Sequence, residues 1–221
     1  MSSATPSSST SSPDDNLVEK WRRKFSNYAG LDVSSDERQW RKCEKWKRDL
    51  TSYSPAVVFM MKHLKQSGCP LTPDHIVCAP CHNNTNTAGS HARTGASNPE
   101  DGSIVLCQGS FADKRHMEET IVHELVHIYD QCKFRVDWQN LRHHACSEIR
   151  ANALSGECRY RRELDRGHFS FSKHFQACVR RRAVLSVQAN PVCPDQATAE
   201  RVVNEVWESC FNDTRPFDEF Y

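Results

Sequence analysis

The residues with the clearest chemical meaning are His123-Glu124-x-x-His127. On a helix, two histidines four residues apart share one face, so both imidazoles can bind one metal ion. The carboxylate of Glu124 can then reach a water molecule held by that ion. The pattern therefore predicts one zinc ion bound by His123 and His127, with Glu124 as the general base that activates water against a peptide bond.

The residues around this motif predict the helix that it requires. Apolar side chains recur at helical spacing and would form the buried face: Val122, Leu125, Val126 and Tyr129. Asp113 or Ser110 can cap the start of the helix, which we expect to end near Cys132 or Lys133.

A zinc site of this kind needs a third protein ligand, and we expect it to be Glu148. This residue lies 21 positions after His127, in a predicted helix from about Arg142 to Ser155. Zinc proteases with two histidines on one helix often take a glutamate from a following helix, and the spacing resembles the gluzincin arrangement. His143 and His144 are the rival third ligands.

Other polar residues near the motif are candidates for supporting roles. Asp130 lies on the same helix stripe as the two histidines, where it either orients a ligand imidazole or is an ordinary polar group at a helix end. A hydrogen-bond donor is also needed for the negative charge that develops on the substrate carbonyl oxygen. The candidates for that role are His143, His144, Arg150 and Tyr160.

The remaining segments predict a mostly helical α+β fold, zincin-like, with a small sheet, the active-site helix and C-terminal helices. Residues 1–13 are expected to be a disordered serine-rich tail, and residues 14–221 a single metalloprotease domain. Further helices are expected at Asp14 or Asp15 to Tyr28, from Ser34 or Ser35 past Trp46, at Pro55–Gln66, at Phe169–Gln188 and at Asp195–Cys210. Strands are expected at His75–Cys78 and Ser103–Cys107, and Asn83–Asp101 is expected to be a surface loop. A strand that precedes a metal-binding helix can present an exposed sheet edge to an extended peptide.

Net charge and hydropathy restrict the kinds of partner, such as nucleic acid or a membrane, that the chain is expected to bind. The 29 Lys and Arg balance 28 Asp and Glu, which gives no overall argument for nucleic acid. The longest apolar run, residues 56–61, is far too short to cross a bilayer, and no secretory signal is expected at the N-terminus. The predicted helix around Trp40 and Trp46 has a basic face, which fits either solvent or a membrane surface.

The chain has 11 cysteines, which are scattered rather than grouped in repeated pairs. Scattered cysteines suit disulfides, and the mitochondrial intermembrane space would reconcile disulfides with the lack of a secretory signal. Reduced, buried thiols are the alternative. A structural zinc site at Cys78 and Cys81, completed by Cys69 with His82 or His91, is a third possibility.

Longer motifs carry a resemblance to a known family. These are Val122–His127, Tyr129–Phe134, Asp137-Trp138, Arg142-His143, Ala145–Ala151, Leu154–Gly156 with Cys158, His174–Arg180, Glu208–Asp213 and Pro216-Phe217. Together they resemble the mitochondrial inner membrane metalloproteases that act on ATP synthase subunit 6. The serine-rich N-terminus has no counterpart in that resemblance.

The resemblance implies a location and a substrate. Members are peripheral to the inner membrane on its intermembrane space side, and they remove the N-terminal presegment of the subunit 6 precursor. They also assist assembly of the ATP synthase membrane sector, a chaperone role that is separable from proteolysis. They are cysteine-rich and are imported through the oxidative import relay, which favours disulfides here. The alternative is a non-catalytic assembly factor with a structural metal site.

Overall fold

The computed structural model describes residues 35–81, 94–98, 101–159 and 174–219. Its helices are α1 (Ser35–Tyr53), α2 (Pro55–Gln66), α3 (Lys114–Lys133), α4 (Leu141–Leu154), α5 (His174–Gln188) and α6 (Gln196–Phe211). Its strands are β1 (Ile76–Ala79), β2 (Gly95–Asn98) and β3 (Ser103–Cys107), and a short 3₁₀ helix, Pro73–His75, precedes β1. The mostly helical α+β fold is therefore confirmed. The serine-rich tail and the helix expected at residues 14–28 lie outside the described residues.

The sheet places a strand beside α3 that the sequence did not predict. Its strand order is β1-β3-β2, with β1 parallel and β2 antiparallel to β3. The expectation that Asn83–Asp101 is only a loop was wrong for Gly95–Asn98, and β3 is the central strand rather than an edge. Gly, Ala, Ser and Asn have little intrinsic preference for strands, so this segment forms a strand because it pairs with β3.

Gly95 explains how closely β2 approaches the active-site helix. A Cβ atom at this position would lie 2.8 Å from Cγ2 of Thr120 on α3, which is too close for a methyl group. The absence of a side chain at Gly95 therefore allows the edge strand to lie directly against the helix that carries the HExxH motif.

The described residues form two hydrophobic cores, and the motif helix contributes to the first of them. The first packs α1, α2 and the sheet against α3, with Met60, Ile104 and Leu125 fully buried. The second packs α4 between α5 and α6, with Ile149 fully buried. Because α3 also packs against α4, the motif helix is held from both sides. None of the described helices is both long and apolar enough to span a membrane.

Five disulfides connect these elements, which confirms the disulfide prediction. The pairs are Cys43–Cys78, Cys69–Cys132, Cys81–Cys107, Cys146–Cys210 and Cys158–Cys178. Cys193 is the odd free cysteine. The structural zinc hypothesis was wrong, because Cys69, Cys78 and Cys81 are all bonded to other cysteines. His82 and His91 lie outside the described residues.

Candidate active site

The structure brings His123, His127 and Glu148 together from two helices. Asp113 caps α3 by accepting a hydrogen bond from the backbone of His116, and Asn140 caps α4 in the same way through Arg142. One ligand atom from each of the three residues can be chosen so that all lie within 4.8 Å of one another.

The distances show that both imidazoles face the carboxylate through the same ring nitrogen. Nε2 of His123 lies 3.7 Å from Oε2 of Glu148, and Nε2 of His127 lies 3.5 Å from Oε1 of Glu148. Each of the three side chains is at most 12% exposed. The cluster is therefore nearly enclosed, with room for an ion between its donor atoms.

Burial and charge act in opposite directions on the protonation of this cluster. Burial alone would lower the pKa of His123, but the carboxylates of Glu157, Glu148 and Glu124 outweigh it and raise the pKa to about 9. Burial would raise the pKa of Glu148, but hydrogen bonds and positive charge from His127, with His144 and His123, hold it well below its usual value. Without a metal, positive imidazole and negative carboxylate compensate each other.

The chemistry of this donor set fits a metal ion such as zinc. Two imidazole nitrogens and one carboxylate oxygen are donors that zinc prefers, and three protein ligands leave a position for water or substrate. Nδ1 of His123 is also a buried nitrogen that has no hydrogen bond among the described residues. Histidines that bind a metal almost always donate their outer ring nitrogen to a carboxylate, a carbonyl or water, and Oε2 of Glu157 lies 3.5 Å from this nitrogen.

His127 is oriented by α4 through Ser147. Nδ1 of His127 lies 2.8 Å from Oγ of Ser147, which leaves Nε2 directed at Glu148. Asp130 is paired with Arg150, whose Nε lies 3.0 Å from Oδ1 of Asp130. Burial raises the pKa of Asp130, and the charge of Arg150 and the nearby hydroxyl of Ser147 oppose this shift. The hydroxyl of Ser147 thus lies between Asp130 and the ligand imidazole, and the role of Asp130 in orienting that imidazole stays a prediction.

His123 is approached by a carboxylate that the sequence reasoning missed. Oε2 of Glu157 lies 3.5 Å from Nδ1 of His123, and the same oxygen accepts a hydrogen bond from Arg182 of α5. Glu157 follows the end of α4 in a segment without helical periodicity, so no sequence signal related it to the motif. Its only marker was its position next to Cys158.

Glu124 lies beside the ligand cluster and is held by the edge strand. Ser97 of β2 donates a 2.7 Å hydrogen bond to Oε2 of Glu124, whose residue is 7% exposed. Ser97 also was not predicted, because its strand was not. The carboxylate is fixed on the side of α3 that faces the sheet edge.

The other candidate donors are placed differently. Nε2 of His144 lies 3.5 Å from Oε1 of Glu148, so His144 borders the site. His143 is exposed and accepts a hydrogen bond from the backbone of Asp137, and Arg150 is buried against Asp130. The proposal of His143 as third ligand was therefore wrong, because His143 is not in the ligand cluster, and its role as oxyanion donor stays a prediction. The proposal of Arg150 as oxyanion donor was wrong, because its donors are engaged by Asp130 and the C-terminal segment. Tyr160 lies outside the described residues.

Comparison with known proteins agrees with the geometry of the site. Residues 41–218 match the Peptidase M76 family. The chain belongs to this family. The match includes all three clustered side chains and every described element except the start of α1. Membership of M76 makes the protein a peptidase, with the HExxH helix at its centre.

Several fungal proteins are similar to the chain over most of their length. A protein of Neosartorya fischeri named mitochondrial inner membrane protease atp23 is 41% identical, with 100% of both chains covered. Proteins of the same name from Malassezia globosa and Debaryomyces hansenii are 47% and 43% identical, covering 81% and 98% of this chain and 77% and 95% of their own. No solved structure matches the chain.

Proposed function

We propose that this protein is a zinc-dependent endopeptidase peripheral to the mitochondrial inner membrane on its intermembrane space side. Its proposed substrate is the precursor of ATP synthase subunit 6, from which it removes the N-terminal presegment. The observation that carries the proposal is the convergence of His123, His127 and Glu148, with Glu124 beside them. The substrate rests on the family resemblance of the sequence motifs.

In this proposal the four residues have separate roles in metal binding and proton transfer. His123 and His127 would hold the ion through Nε2, and Glu148 would complete the protein ligands. A bound zinc ion would supply a Lewis acid that polarises the peptide carbonyl and acidifies water. Glu124 would accept the proton of the attacking water and return it to the leaving amine, since Ser97 fixes the direction of its carboxylate.

The location is supported by the disulfides and by the names of the relatives. Five disulfides persist only where the environment is oxidising, which suits the intermembrane space and entry through the oxidative import relay. The relatives described above are named as proteases of the inner membrane. Helix α1 also keeps Arg38, Lys45 and Arg48 exposed, as contact with an anionic membrane surface would require.

The rival function is a non-catalytic assembly factor for the ATP synthase membrane sector. The family resemblance gives this chaperone role in addition to proteolysis, so the two can coexist in one protein. They differ in their need for Glu124, because a structural metal site does not require a proton acceptor beside its ligands.

The substitution Glu124→Gln tests the proposal in mitochondria that lack their own copy of the protease. It keeps the size of the side chain but removes the proton acceptor, so we expect subunit 6 to remain as precursor. Zinc content and the unfolding midpoint should stay near wild type. Glu200→Gln, on the exposed side of α6, is the matched control and should process normally. Processing by the Glu124→Gln variant would refute the protease assignment, whereas normal assembly without processing would separate the chaperone role.

A further inference from the structure

Arg182 lies outside the ligand cluster but connects the supports of two different ligands. It projects from α5, a helix that carries none of the three clustered residues. Its Nη2 donates to Oε2 of Glu157, and its Nε donates a 2.5 Å hydrogen bond to Oδ1 of Asn152. Because a guanidinium group is planar and has several N–H donors, it can bridge two acceptors at fixed relative positions.

Through Glu157, Arg182 is connected to His123. Glu157 is 4% exposed, and its Oε2 lies 3.5 Å from Nδ1 of His123. No hydrogen bond from the described residues reaches that nitrogen, so this carboxylate is its nearest charged neighbour among the ion pairs of His123. A carboxylate next to the outer nitrogen of a ligand imidazole fixes both the tautomer and the direction of the inner nitrogen.

Through Asn152, Arg182 is connected to Glu148. Nδ2 of Asn152 donates to the backbone carbonyl of Glu148 at 2.8 Å and to its Oε2 at 3.2 Å. Arg182 holds the opposite end of the same amide, so the Asn152 side chain cannot rotate without losing bonds at both ends. Asn152 is 1% exposed, and the lost bonds would not be replaced by water.

The disulfide Cys158–Cys178 holds both ends of the bridge in place. Cys158 directly follows Glu157, and Cys178 lies four residues before Arg182 on α5, which is one helical turn. The disulfide therefore fastens the segment that carries Glu157 to the turn of helix next to Arg182. Its two sulfurs belong to buried residues of the second core.

We propose that Arg182, Glu157 and Asn152 are positioning residues that set the metal affinity of the site, and that the Cys158–Cys178 disulfide keeps them aligned. The inference rests on the proposed function, since it assumes that His123 and Glu148 bind zinc. It adds that the oxidation of one cysteine pair is a condition for tight zinc binding. Metal affinity is thereby coupled to a bond that contacts neither the metal nor the substrate.

The test measures zinc affinity by competition with a chromogenic chelator, using the oxidised full-length protein. Glu157→Gln and Arg182→Met should each weaken zinc binding about 10- to 100-fold, as expected for partners of metal ligands. Arg182→Lys should weaken it less, because an ammonium group keeps the charge beside Glu157 but cannot reproduce the planar bridge to Asn152. Arg201→Met, which removes an exposed arginine of α6, is the control and should bind zinc like wild type.

A double-mutant cycle tests the role of the disulfide. Replacing Cys158 and Cys178 together by Ala should weaken zinc binding by a similar factor, and adding Glu157→Gln should cause little further loss. Replacing Cys43 and Cys78 by Ala, at the far side of the first core, should lower the unfolding midpoint without changing zinc affinity. Alanine is used because free thiols would themselves bind zinc.

The outcomes separate this inference from the proposed function. If wild type binds no zinc, or if His123→Ala binds it as tightly, the proposed metal site fails. If wild type binds zinc and Glu157→Gln, Arg182→Met and the cysteine variant bind it equally well, only the positioning role fails. The absorption spectrum of the cobalt-substituted protein provides a second readout, since a displaced His123 changes the ligand field whereas a loss of stability alone does not.

Discussion

Ser97 donates a 2.7 Å hydrogen bond to the carboxylate of Glu124, and it does so from the outermost strand of the sheet. The strand and the HExxH helix are thus joined at the residue proposed to move the proton. Within the part of the chain that the structure describes, β2 pairs with β3 alone. A peptide pairing with this edge would lie next to the proposed base.

The first prediction concerns this hydrogen bond. Ser97→Ala should lower kcat about tenfold with a smaller effect on KM, because Glu124 keeps its chemistry but loses the contact that fixes its direction. Steady-state kinetics on a peptide spanning the cleavage site measures both constants. Ser97→Thr retains the hydroxyl group on a residue that favours strands and should recover most of the activity. Equal kcat values for wild type and Ser97→Ala would show that the bond has no catalytic role.

The second prediction identifies the third ligand. Glu148→Gln should lower zinc affinity more than about 100-fold, a larger loss than removal of a supporting partner causes. His144→Ala should lower it by no more than about tenfold, because Nδ1 of His144 is engaged by Asn190 and its Nε2 lies beside Glu148. Zinc content after equilibrium dialysis distinguishes them. Retention of zinc by Glu148→Gln and its loss from His144→Ala would assign the ligand to His144.

Site residues that are close together in the sequence could be predicted, whereas residues that meet only through the packing of distant segments could not. His123 and His127 are four residues apart on one helix, and local periodicity was enough to place both on one face, with Glu124 next to His123. Glu148 was predicted by its distance from the motif and by analogy with gluzincins. The cap of α3 was also a local feature, and of the two candidates, Asp113 and Ser110, the structure confirms Asp113.

Glu157, Arg182 and Ser97 were not predictable in this way. Ser97 depends on strand pairing of a Gly-Ala-Ser-Asn segment with little intrinsic strand preference. Glu157 and Arg182 are 25 residues apart and meet only because α5 packs on α4. Long-range packing of this kind leaves no periodic signal in a single sequence. The cysteines indicated that distant segments are connected, but not which ones.

The third prediction concerns the disulfide between the end of α2 and the end of α3. Cys69 and Cys132 are 63 residues apart, and closing a loop of that length lowers the entropy of the unfolded chain. Replacing both by Ala should reduce the free energy of unfolding by about 4 kcal/mol, measured by urea denaturation under oxidising conditions. Cys193→Ala removes the free thiol and is the control, with an expected change within about 0.5 kcal/mol. A double variant as stable as that control would contradict the prediction.

The fourth prediction concerns the C-terminal segment around Asp213, which Arg150 of α4 connects to Asp130 of α3. Arg150 donates from Nη1 to the backbone carbonyl of Asp213 at 2.6 Å and pairs with its carboxylate. Burial opposes ionisation of Asp213, but hydrogen bonds from Arg215 and the charge of Arg150 outweigh it and lower the pKa of Asp213 below 3.8. A carboxylate with a lowered pKa in the folded state stabilises the protein above its unfolded pKa, and this stabilisation is lost as the pH falls through the folded value.

Asp213→Asn should therefore be less stable than wild type at pH 7, and the difference should shrink as the pH falls below about 3.8. Urea denaturation of both proteins across this range measures the difference between their free energies of unfolding. The other carboxylates are the same in both proteins, so their titration cancels in this difference. Asp74→Asn, at an exposed position in the 3₁₀ helix, is the matched control and should change stability little at neutral pH. A difference between wild type and Asp213→Asn that stays constant from pH 7 to pH 2 would mean that the charge of Asp213 does not hold the C-terminal segment. The loss would then come from shape or hydrogen bonding alone, and the link from Asp213 through Arg150 to Asp130 would have no electrostatic part.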